Sequence, residues 1–296
     1  MRHLLSIRDL RQEDVREIFA LAREFKAARG SAHLPHPLYG EIWALIFSKP
    51  STRTRVSFEV AVRELGGQSI FLSAQEIQLG RGEPIQDTAR VLGRMIHGAI
   101  IRTYAHSDVE IFARHSHRPT VNALTDSEHP CQILTDIFTF EEKRGSIQGK
   151  KVAYIGDAAS NVPISWAYAA ELLDFEFHCA APADYACPIQ NAHVHNTTDP
   201  NEAATGAHLL YTDVWVSMGM EAEAERRLRD LSGYQINHEL LRHAKPDVLV
   251  QHCLPAYRGK EISEAVLEER SQDIFDEAEN RLHVQKGILA WIKQNS

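Results

Sequence analysis

Apolar residues along the chain follow two alternating patterns, and the alternation predicts the fold. Residues 12–29 carry apolar side chains such as Val15 and Ile18 at helical spacing, and Gly30 ends the stretch. The run at 42–47 is continuously apolar, which is typical of a strand buried on both faces. Short buried strands that alternate with amphipathic helices predict parallel sheets covered by helices, an α/β fold.

The same patterns predict elements along the whole chain. Helices are predicted over 12–29, 52–65, 84–95, 107–115, 130–143, 161–173, 221–231, 237–244 and 278–293. Strands are predicted over 42–47, 69–72, 99–101, 120–123, 151–155, 175–179, 208–212 and 247–251. Ser107 with Glu110 fits a capping box, and Asn237 fits the N-cap of its helix.

Chain length predicts two domains. At ~150 residues per domain, 296 residues suffice for about two units. The polar stretch RGSIQGK at 144–150 suggests the boundary region, and we expect domains at about 1–138 and 139–277. The last helix, 278–296, comes too late to start a new unit, so we expect it to pack back on the first domain. The predicted fold is therefore α/β, with two doubly wound parallel-sheet domains.

Composition excludes several classes of protein. The net charge of −8 argues against a general nucleic-acid or anionic-membrane binder. No apolar run is long enough to span a bilayer, and no signal peptide is evident, so we expect a cytoplasmic protein. The four cysteines show no CxxC spacing and are expected to be free thiols. The 16 histidines include no HExxH motif, and no metal site is predicted.

Polar residues collect where predicted strands end, and ligands bind at this edge of an open parallel sheet. The segments that follow strands are 48–55, 102–103, 125–132, 156–161, 213–219 and 252–255. In the first, hydroxyls and main-chain N–H groups begin a helix beside Arg53 and Arg55, which suits an anion. Taken alone, a capped helix with two solvated arginines explains that segment equally well. Six such segments together favour a binding site.

The segments resemble the aspartate/ornithine carbamoyltransferase family over nearly the whole chain. STRTR at 51–55 and HPCQ at 129–132 are typical of the whole family. DVWVSMG at 213–219 and HCLP at 252–255 are typical of its ornithine branch, and DEAENRLH at 276–283 closes the resemblance. The resemblance implies transfer of the carbamoyl group of carbamoyl phosphate to the δ-amine of L-ornithine. The products would be L-citrulline and phosphate, as in arginine biosynthesis.

The resemblance also implies a carbamoyl phosphate site whose donors hold the phosphate and the carbonyl oxygen. The implied residues are Ser51, Thr52, Arg53, Thr54, Gln78, Arg102, His129, Gln132, Cys253, Leu254 and Arg281. Arg102, His129 and Arg281 would stabilise the carbonyl oxygen as negative charge develops. Gln132 would bind the carbamoyl amide, and Leu254 would act through its carbonyl. Gln78 would reach into a neighbouring subunit's site.

Ornithine is expected on the second domain, with the site between the domains. The implied residues are Asn161, Asp213, Ser217 and Met218. The δ-amine must lose a proton before it attacks, since an alkyl ammonium has a pKa near ~10.4. Asp213 and Cys253 are the candidates for positioning and deprotonating that amine, which makes Cys253 a catalytic candidate beside Arg102, His129 and Arg281. Domain closure and the 217–219 loop would exclude water.

Two departures from the family pattern stand out. The family has two adjacent asparagines after the Gly-Asp of the second domain, whereas Ser160 replaces the first of them here. Between 180 and 208 the chain carries Pro182, Pro188 and Pro200 and no helical apolar period. We expect that a helix of the family is mostly deleted here, that a brief turn remains near 185–190, and that a short strand remains near 192–196.

The resemblance implies no metal or organic cofactor, because phosphate is already a good leaving group. It implies a homotrimer with shared sites. A carbamoyltransferase for aspartate, putrescine or an N-acylated ornithine is the nearest alternative, and the SMG loop with Asp213 disfavours it. A non-catalytic homologue is the second, which the retained polar residues disfavour. A dinucleotide-binding dehydrogenase is excluded by the lack of GxGxxG after 151–155.

Overall fold

A computed structural model describes residues 1–78, 82–217 and 219–296. The chain divides into two compact units, one formed by Met1–Thr135 with Asn280–Ser296 and the other by Asp136–Glu279. Each unit contains a parallel sheet and helices, which confirms the predicted α/β class. No helix in the described part of the chain is long and apolar enough to cross a membrane.

The first unit is built on a four-stranded parallel sheet with the order β2-β1-β3-β4. Its strands are β1 (Ile42–Phe47), β2 (Gln68–Ser73), β3 (Gly98–Arg102) and β4 (Thr120–Leu124). Phe47 is paired with Ser73 on one side and with Arg102 on the other, so the three strands end at the same level. The segments that follow them therefore start from one edge of the sheet.

Helices of the first unit follow its strands or precede the sheet. They are α1 (Gln12–Ala28), α2 (Thr52–Glu64), α3 (Ile85–Leu92), α4 (His106–Ser116) and the start of α5 (Pro130–Arg144). The unit also includes residues from Asn280 onward of the last helix, α11 (Ser271–Gln294), as expected for a C-terminal helix that packs back on this unit. A side chain at Gly287 would place Cβ 2.5 Å from the Ile18 carbonyl oxygen, so glycine permits this close contact with α1.

The second unit contains a five-stranded parallel sheet with the order β7-β6-β5-β8-β9. Its strands are β5 (Lys151–Ile155), β6 (Glu176–Ala180), β7 (Val194–Thr197), β8 (Leu209–Thr212) and β9 (Leu249–His252). Its helices are α6 (Asn161–Leu173), α7 (Pro200–Ala204), α8 (Ala224–Asp230), α9 (His238–Leu241) and α10 (Glu264–Glu269). Trp166 of α6 packs against Phe175, Phe177 and Tyr211, with ring centroids 5.5–6.1 Å away.

Several helix starts were wrongly predicted. α11 begins at Ser271 rather than at 278, and α8 begins at Ala224, after a 3-10 turn, rather than at 221. α4 begins at His106 after Ala105, which makes no side-chain cap, and Ser107 lies inside the helix rather than at its N-cap. His106 Nδ1 is 3.0 Å from the Thr125 hydroxyl, and this tertiary contact holds the helix start one residue before the predicted cap. The other predicted cap is confirmed, because the Asn237 side chain accepts a hydrogen bond from Leu240 N at 3.0 Å.

The segment between β6 and β7 is short, as its prolines predicted. It contains one 3-10 turn, Ala183–Tyr185, and no helix longer than this turn. The turn lies slightly before its predicted position, and β7 occupies Val194–Thr197. The short helix α7, which begins with a proline capped by Asp199, was not predicted.

Candidate active site

The start of α2 carries the residues that the sequence predicts to bind an anion. Ser51 is the N-cap, and its hydroxyl accepts a hydrogen bond from Thr54 N at 3.3 Å. Thr52 and Arg53 are exposed, whereas Thr54 is buried. The helix contains no acidic residue in its first turn, so nothing there opposes its positive end.

Three buried polar side chains lie close to one another in the same unit. Arg102 ends β3, His129 precedes α5, and Gln132 lies in the first turn of α5. Burial lowers the pKa of His129 well below its usual value, and the charges of Arg281 and Arg102 lower it further. His129 is therefore a neutral imidazole at neutral pH, able to donate one hydrogen bond without adding charge.

Arg281 joins the C-terminal helix to this cluster. Its Nη2 donates a hydrogen bond of 2.7 Å to the Thr54 hydroxyl, and both side chains are buried. The structure thus brings Thr54, Arg102, His129 and Arg281 together in one unit, although they come from four separate stretches of sequence. We call these four residues the cationic cluster.

Two residues that the sequence predicts for this site, Arg55 and Gln78, make their contacts outside the cationic cluster. Arg55 does not join the cationic cluster, because its Nε donates to Glu59 at 2.8 Å and its guanidinium lies 3.6 Å from the Phe71 ring centroid. Its position four residues before Glu59 on α2 explains this pairing. Gln78 is exposed, and its carbonyl oxygen accepts from Glu83 N at 3.1 Å.

Sequence reasoning missed an ion pair between a buried lysine and an exposed aspartate in the first unit. Lys49, directly after β1, pairs with Asp126 and lies 4.3 Å from the Tyr104 ring centroid. Lys49 is 5% exposed. Both residues follow strands of one sheet, which indicates that they lie at the same edge. The sequence alone does not show that the two loops that carry them meet.

In the second unit, Asp213 and Cys253 form a direct hydrogen bond. The Cys253 thiol donates to Asp213 Oδ1 at 2.9 Å, and Val214 N donates to the same oxygen at 2.7 Å. Burial raises the pKa of Asp213, and burial together with the Asp213 charge raises the pKa of Cys253 well above its usual value. Cys253 is thus a neutral thiol that donates its proton toward the carboxylate.

His252 holds the backbone next to this pair. Its Nδ1 accepts from Leu254 N at 2.9 Å, so the ring proton lies on Nε2 and points to Glu261 Oε1 at 3.1 Å. Leu254 has a φ of 56°, a conformation that is unusual for a bulky residue, and precedes a cis proline. The histidine therefore fixes the direction of the main chain at Cys253 and Leu254.

Asp213, His252 and Cys253 present donor atoms within 4.8 Å of one another, which is the spacing of a metal site. They do not fit a metal well, however. Both His252 ring nitrogens are already engaged, by Leu254 N and Glu261, and Cys253 is a thiol rather than the thiolate that a metal requires.

The other predicted ornithine residues lie on segments around β5 and β8. Asn161 begins α6, after Ser160, whose hydroxyl donates to the Asp157 carbonyl oxygen at 3.1 Å. The carbonyl oxygen of Ser217 accepts from Met220 N at 3.0 Å. Met218 lies outside the described residues.

Arg227 connects these segments. Its Nη1 donates to Asp157 Oδ2 at 2.6 Å and to the Trp215 carbonyl oxygen at 3.3 Å, and its Nε donates to Glu223 at 3.2 Å. Arg227 and Asp157 are both buried. A cavity of about 440 Å³ adjoins this network, with Ser160, Tyr185 and Met220 in its lining. One arginine thus ties Trp215, in the segment that follows β8, to Asp157 after the end of β5.

Comparison with known families agrees with this division. Residues 2–142 match the family described as aspartate/ornithine carbamoyltransferase, carbamoyl-P binding domain. Residues 148–292 match aspartate/ornithine carbamoyltransferase, Asp/Orn binding domain.

Individual relatives are similar over their full length. The chain is 54% identical to an ornithine carbamoyltransferase of Akkermansia muciniphila, covering 98% of this chain and 97% of the relative. A solved ornithine carbamoyltransferase of Pyrococcus furiosus is 42% identical with a TM-score of 0.91, covering 100% of this chain and 98% of that one. An anabolic ornithine carbamoyltransferase of Campylobacter jejuni is 38% identical with a TM-score of 0.92, covering 100% of both chains.

Proposed function

Because the chain belongs to the aspartate/ornithine carbamoyltransferase family, we propose that it transfers the carbamoyl group of carbamoyl phosphate to the δ-amine of L-ornithine. In this reaction the amine nitrogen attacks the carbonyl carbon, the bond from carbon to the phosphate oxygen breaks, and the amine loses a proton. The products are L-citrulline and phosphate. We assign carbamoyl phosphate to 1–138 with 278–296 and ornithine to 139–277.

The cationic cluster supports the carbamoyl phosphate assignment. The phosphate would lie at the N-terminus of α2, on main-chain N–H groups and the side chains of Ser51, Thr52 and Arg53, with Gln78 completing it. Arg102 and Arg281 would donate to the carbonyl oxygen with the neutral His129, while Gln132 and the Leu254 carbonyl would bind the amide. Because these donors would be in place before the reaction begins, they would stabilise the developing oxyanion without any reorganisation of the site.

The Cys253–Asp213 hydrogen bond carries the assignment of ornithine. Both hydrogen bonds that reach Asp213 from Cys253 and Val214 end on Oδ1, so Oδ2 is placed to accept from a substrate ammonium group. Asn161, Ser217 and Met218 would hold the rest of the amino-acid end. The Cys253 thiol would lie beside the δ-amine, and the thiol proton would move toward the Asp213 carboxylate as the amine attacks.

Citrulline formation from purified protein tests the function. We expect turnover with carbamoyl phosphate and L-ornithine, competitive inhibition by a bisubstrate analogue, and loss of turnover in Arg53→Ala. Faster turnover of putrescine or aspartate than of ornithine would overturn the choice of acceptor. Lack of turnover with every amine would indicate a non-catalytic homologue.

The exposed apolar surface of the first unit supports self-association. Val56, Ile70, Val91 and Met95 are each about half exposed or more, and exposed apolar patches mark interaction sites. We propose a homotrimer in which Gln78 enters a neighbouring site. Mixing Gln78→Ala subunits with Arg53→Ala subunits should then restore activity, because some sites receive both intact residues. Failure to restore activity in proven mixed trimers would contradict the shared site.

We further propose that the enzyme acts in the cytoplasm in arginine biosynthesis. The four cysteines are free, as expected for a reducing compartment, and one structural neighbour is described as anabolic. Arginine auxotrophy after deletion of the gene, relieved by citrulline, would support the biosynthetic direction. Prototrophic growth of a deletion strain with no second copy would contradict it.

A further inference from the structure

Two of the four cysteines lie outside the proposed catalytic residues and close to each other. Cys179 is in β6, and Cys187 lies in the shortened segment between β6 and β7, two residues after its 3-10 turn. Both are buried free thiols. Nothing in the proposed transfer reaction uses them.

One asparagine holds both cysteines in place. In the β6–β7 ladder, Cys179 is paired with Asn196, so their Cα atoms are neighbours across strands. The Asn196 side chain accepts from Cys187 N at 3.0 Å and donates to the Cys187 carbonyl oxygen at 3.0 Å. In-register neighbours on adjacent strands point to the same face of the sheet, so the Asn196 side chain holds the Cys187 main chain at the face on which the Cys179 side chain lies.

The two thiols influence each other's ionisation. The Cys179 thiol, as a hydrogen-bond donor, lowers the pKa of Cys187, while burial raises the pKa of Cys179. Cys187 is therefore the sulfur that ionises first, and Cys179 is the natural second partner. Thiolate character decides which cysteine an oxidant attacks.

The segment that carries Cys187 can expose it by a local movement. Ala183 and Asp184 of the turn are exposed, and the side-chain contacts that hold the segment include Tyr185 to Asp230 at 3.2 Å. Opening this short irregular segment leaves the helices and the sheet intact, so it costs far less than global unfolding.

We propose that Cys179 and Cys187 are a redox-sensitive dithiol that converts reversibly to a disulfide across the shortened segment. The oxidant is a hydroperoxide. The Cys187 thiolate attacks the peroxide, the O–O bond breaks, and Cys187 becomes a sulfenic acid. The Cys179 sulfur then attacks that sulfur, the S–S bond forms, and hydroxide leaves with the Cys179 proton as water. With hydrogen peroxide, two thiols are oxidised and the peroxide is reduced to two waters.

Mass spectrometry of the full-length protein tests this directly. Trypsin leaves both cysteines in one peptide, 152–226, because no Lys or Arg lies between 152 and 225. After hydrogen peroxide treatment and alkylation of the unfolded protein, we expect this peptide to lack alkylation and to lose about 2 Da relative to the unalkylated dithiol. Cleavage at Asp184 should leave two fragments joined until dithiothreitol separates them.

The same measurement on cysteine variants identifies which two cysteines form the disulfide. Cys179→Ala and Cys187→Ala should each abolish the joined fragments, whereas Cys131→Ser should keep them. The wild-type measurement stands even where a variant folds poorly. Full alkylation of both cysteines after hydrogen peroxide treatment, or a crosslink to any other cysteine, would overturn the proposal. The readout is independent of the proposed carbamoyl transfer.

Discussion

The Cys253 thiol donates a hydrogen bond of 2.9 Å to Asp213 Oδ1, and this contact fixes where charge resides in the second unit. Burial raises the pKa of both groups, but the carboxylate also raises the pKa of the thiol, so the negative charge stays on Asp213. A thiol that is already donating cannot act as a free base. A proton leaving the δ-amine must therefore move toward the carboxylate, with Cys253 aligned between them.

Replacing Cys253 should slow the chemical step. We expect Cys253→Ala to lower kcat by about 10²–10⁴-fold, the usual contribution of a positioned proton-transfer group. Cys253→Ser should recover part of the loss, because a hydroxyl can still donate to Asp213. Cys187→Ser is the matched control and should leave the citrulline assay unchanged. Equal rates for Cys253→Ala and wild type at saturating substrates would contradict the role.

Asp213→Asn should remove activity and stabilise the fold. An Asn side chain keeps an oxygen for Cys253 and Val214 but carries no charge to bury. The folded pKa of Asp213 is raised, so its favourable contribution is present below the unfolded pKa of 3.8 and is lost as pH rises through the folded pKa.

The stability gain of Asp213→Asn should consequently be absent at the lowest pH, grow through that window, and level off at neutral pH. Denaturant unfolding across a pH series measures it. Asp247→Asn changes an exposed carboxylate on the loop before β9 and is the control that should show no such trend. A variant less stable than wild type at neutral pH would indicate that the Asp213 charge is favourably compensated in the fold.

Arg281 and Thr54 should act as one unit on carbamoyl phosphate. Arg281→Gln should lower kcat by about 10²–10³-fold, as loss of one oxyanion donor does. Thr54→Val removes the hydroxyl that receives the 2.7 Å bond and should cost about tenfold in kcat/KM. Because the two share a bond, the double variant should lose less than the product of the single losses. Arg63→Gln, on the exposed side of α2, should behave as wild type.

The sequence was sufficient to predict elements whose pattern is local. Strands such as Ile42–Phe47 carry a continuous apolar run, and Ser51 and Asn237 are strong N-caps in any context. The edge where strands end was also predictable, because parallel strands share it. Motif residues could thus be placed at that edge without a structure.

What could not be predicted depends on contacts between distant segments. Serine is a residue type that favours the N-cap, but the contact of His106 with Thr125, and not Ser107, decides where α4 begins. Arg55 has the motif position of a phosphate ligand, yet Glu59 one turn later binds it. The protonation state of Cys253 could not be predicted without knowing that Asp213 is adjacent, since a free thiol and a hydrogen-bonded thiol look the same in sequence.

Arg227 should control the affinity for ornithine although it is only a positioning residue. Arg227→Gln leaves the buried Asp157 carboxylate without its cation, a change that costs about 3–5 kcal/mol in comparable buried pairs. It also frees the Trp215 carbonyl, so the chain around Trp215 loses its anchor. We expect the KM for ornithine to rise while the KM for carbamoyl phosphate is unchanged. Arg226→Gln, an exposed neighbour, is the control.

A conservative change separates this positioning role from simple destabilisation. Arg227→Lys keeps the charge and can satisfy Asp157, but it cannot also reach the Trp215 carbonyl and Glu223 with a planar fork. Its stability should approach wild type while its KM for ornithine stays raised. A parallel recovery of stability and KM would show that Arg227 acts through stability alone.

Lys286 and Glu64 join the C-terminal helix to α2 by a 2.5 Å ion pair, and its two members should respond unequally to replacement. Lys286 is completely buried, whereas Glu64 is partly exposed and also binds Arg29 at 3.0 Å. Glu64→Gln leaves a buried ammonium group without a counter-ion and should lower the free energy of unfolding by about 3–5 kcal/mol. Lys286→Met fills similar space without charge and should be close to neutral.

The pH dependence of these two variants gives a further check. Burial lowers the pKa of Lys286, so the folded state binds fewer protons than the unfolded state between the folded pKa and 10.5. Without Glu64 this difference should widen, and Glu64→Gln should therefore regain stability as pH rises through that window. Lys286→Met should show no such recovery. If Glu64→Gln gains no stability at high pH, the buried ammonium is not the origin of its defect.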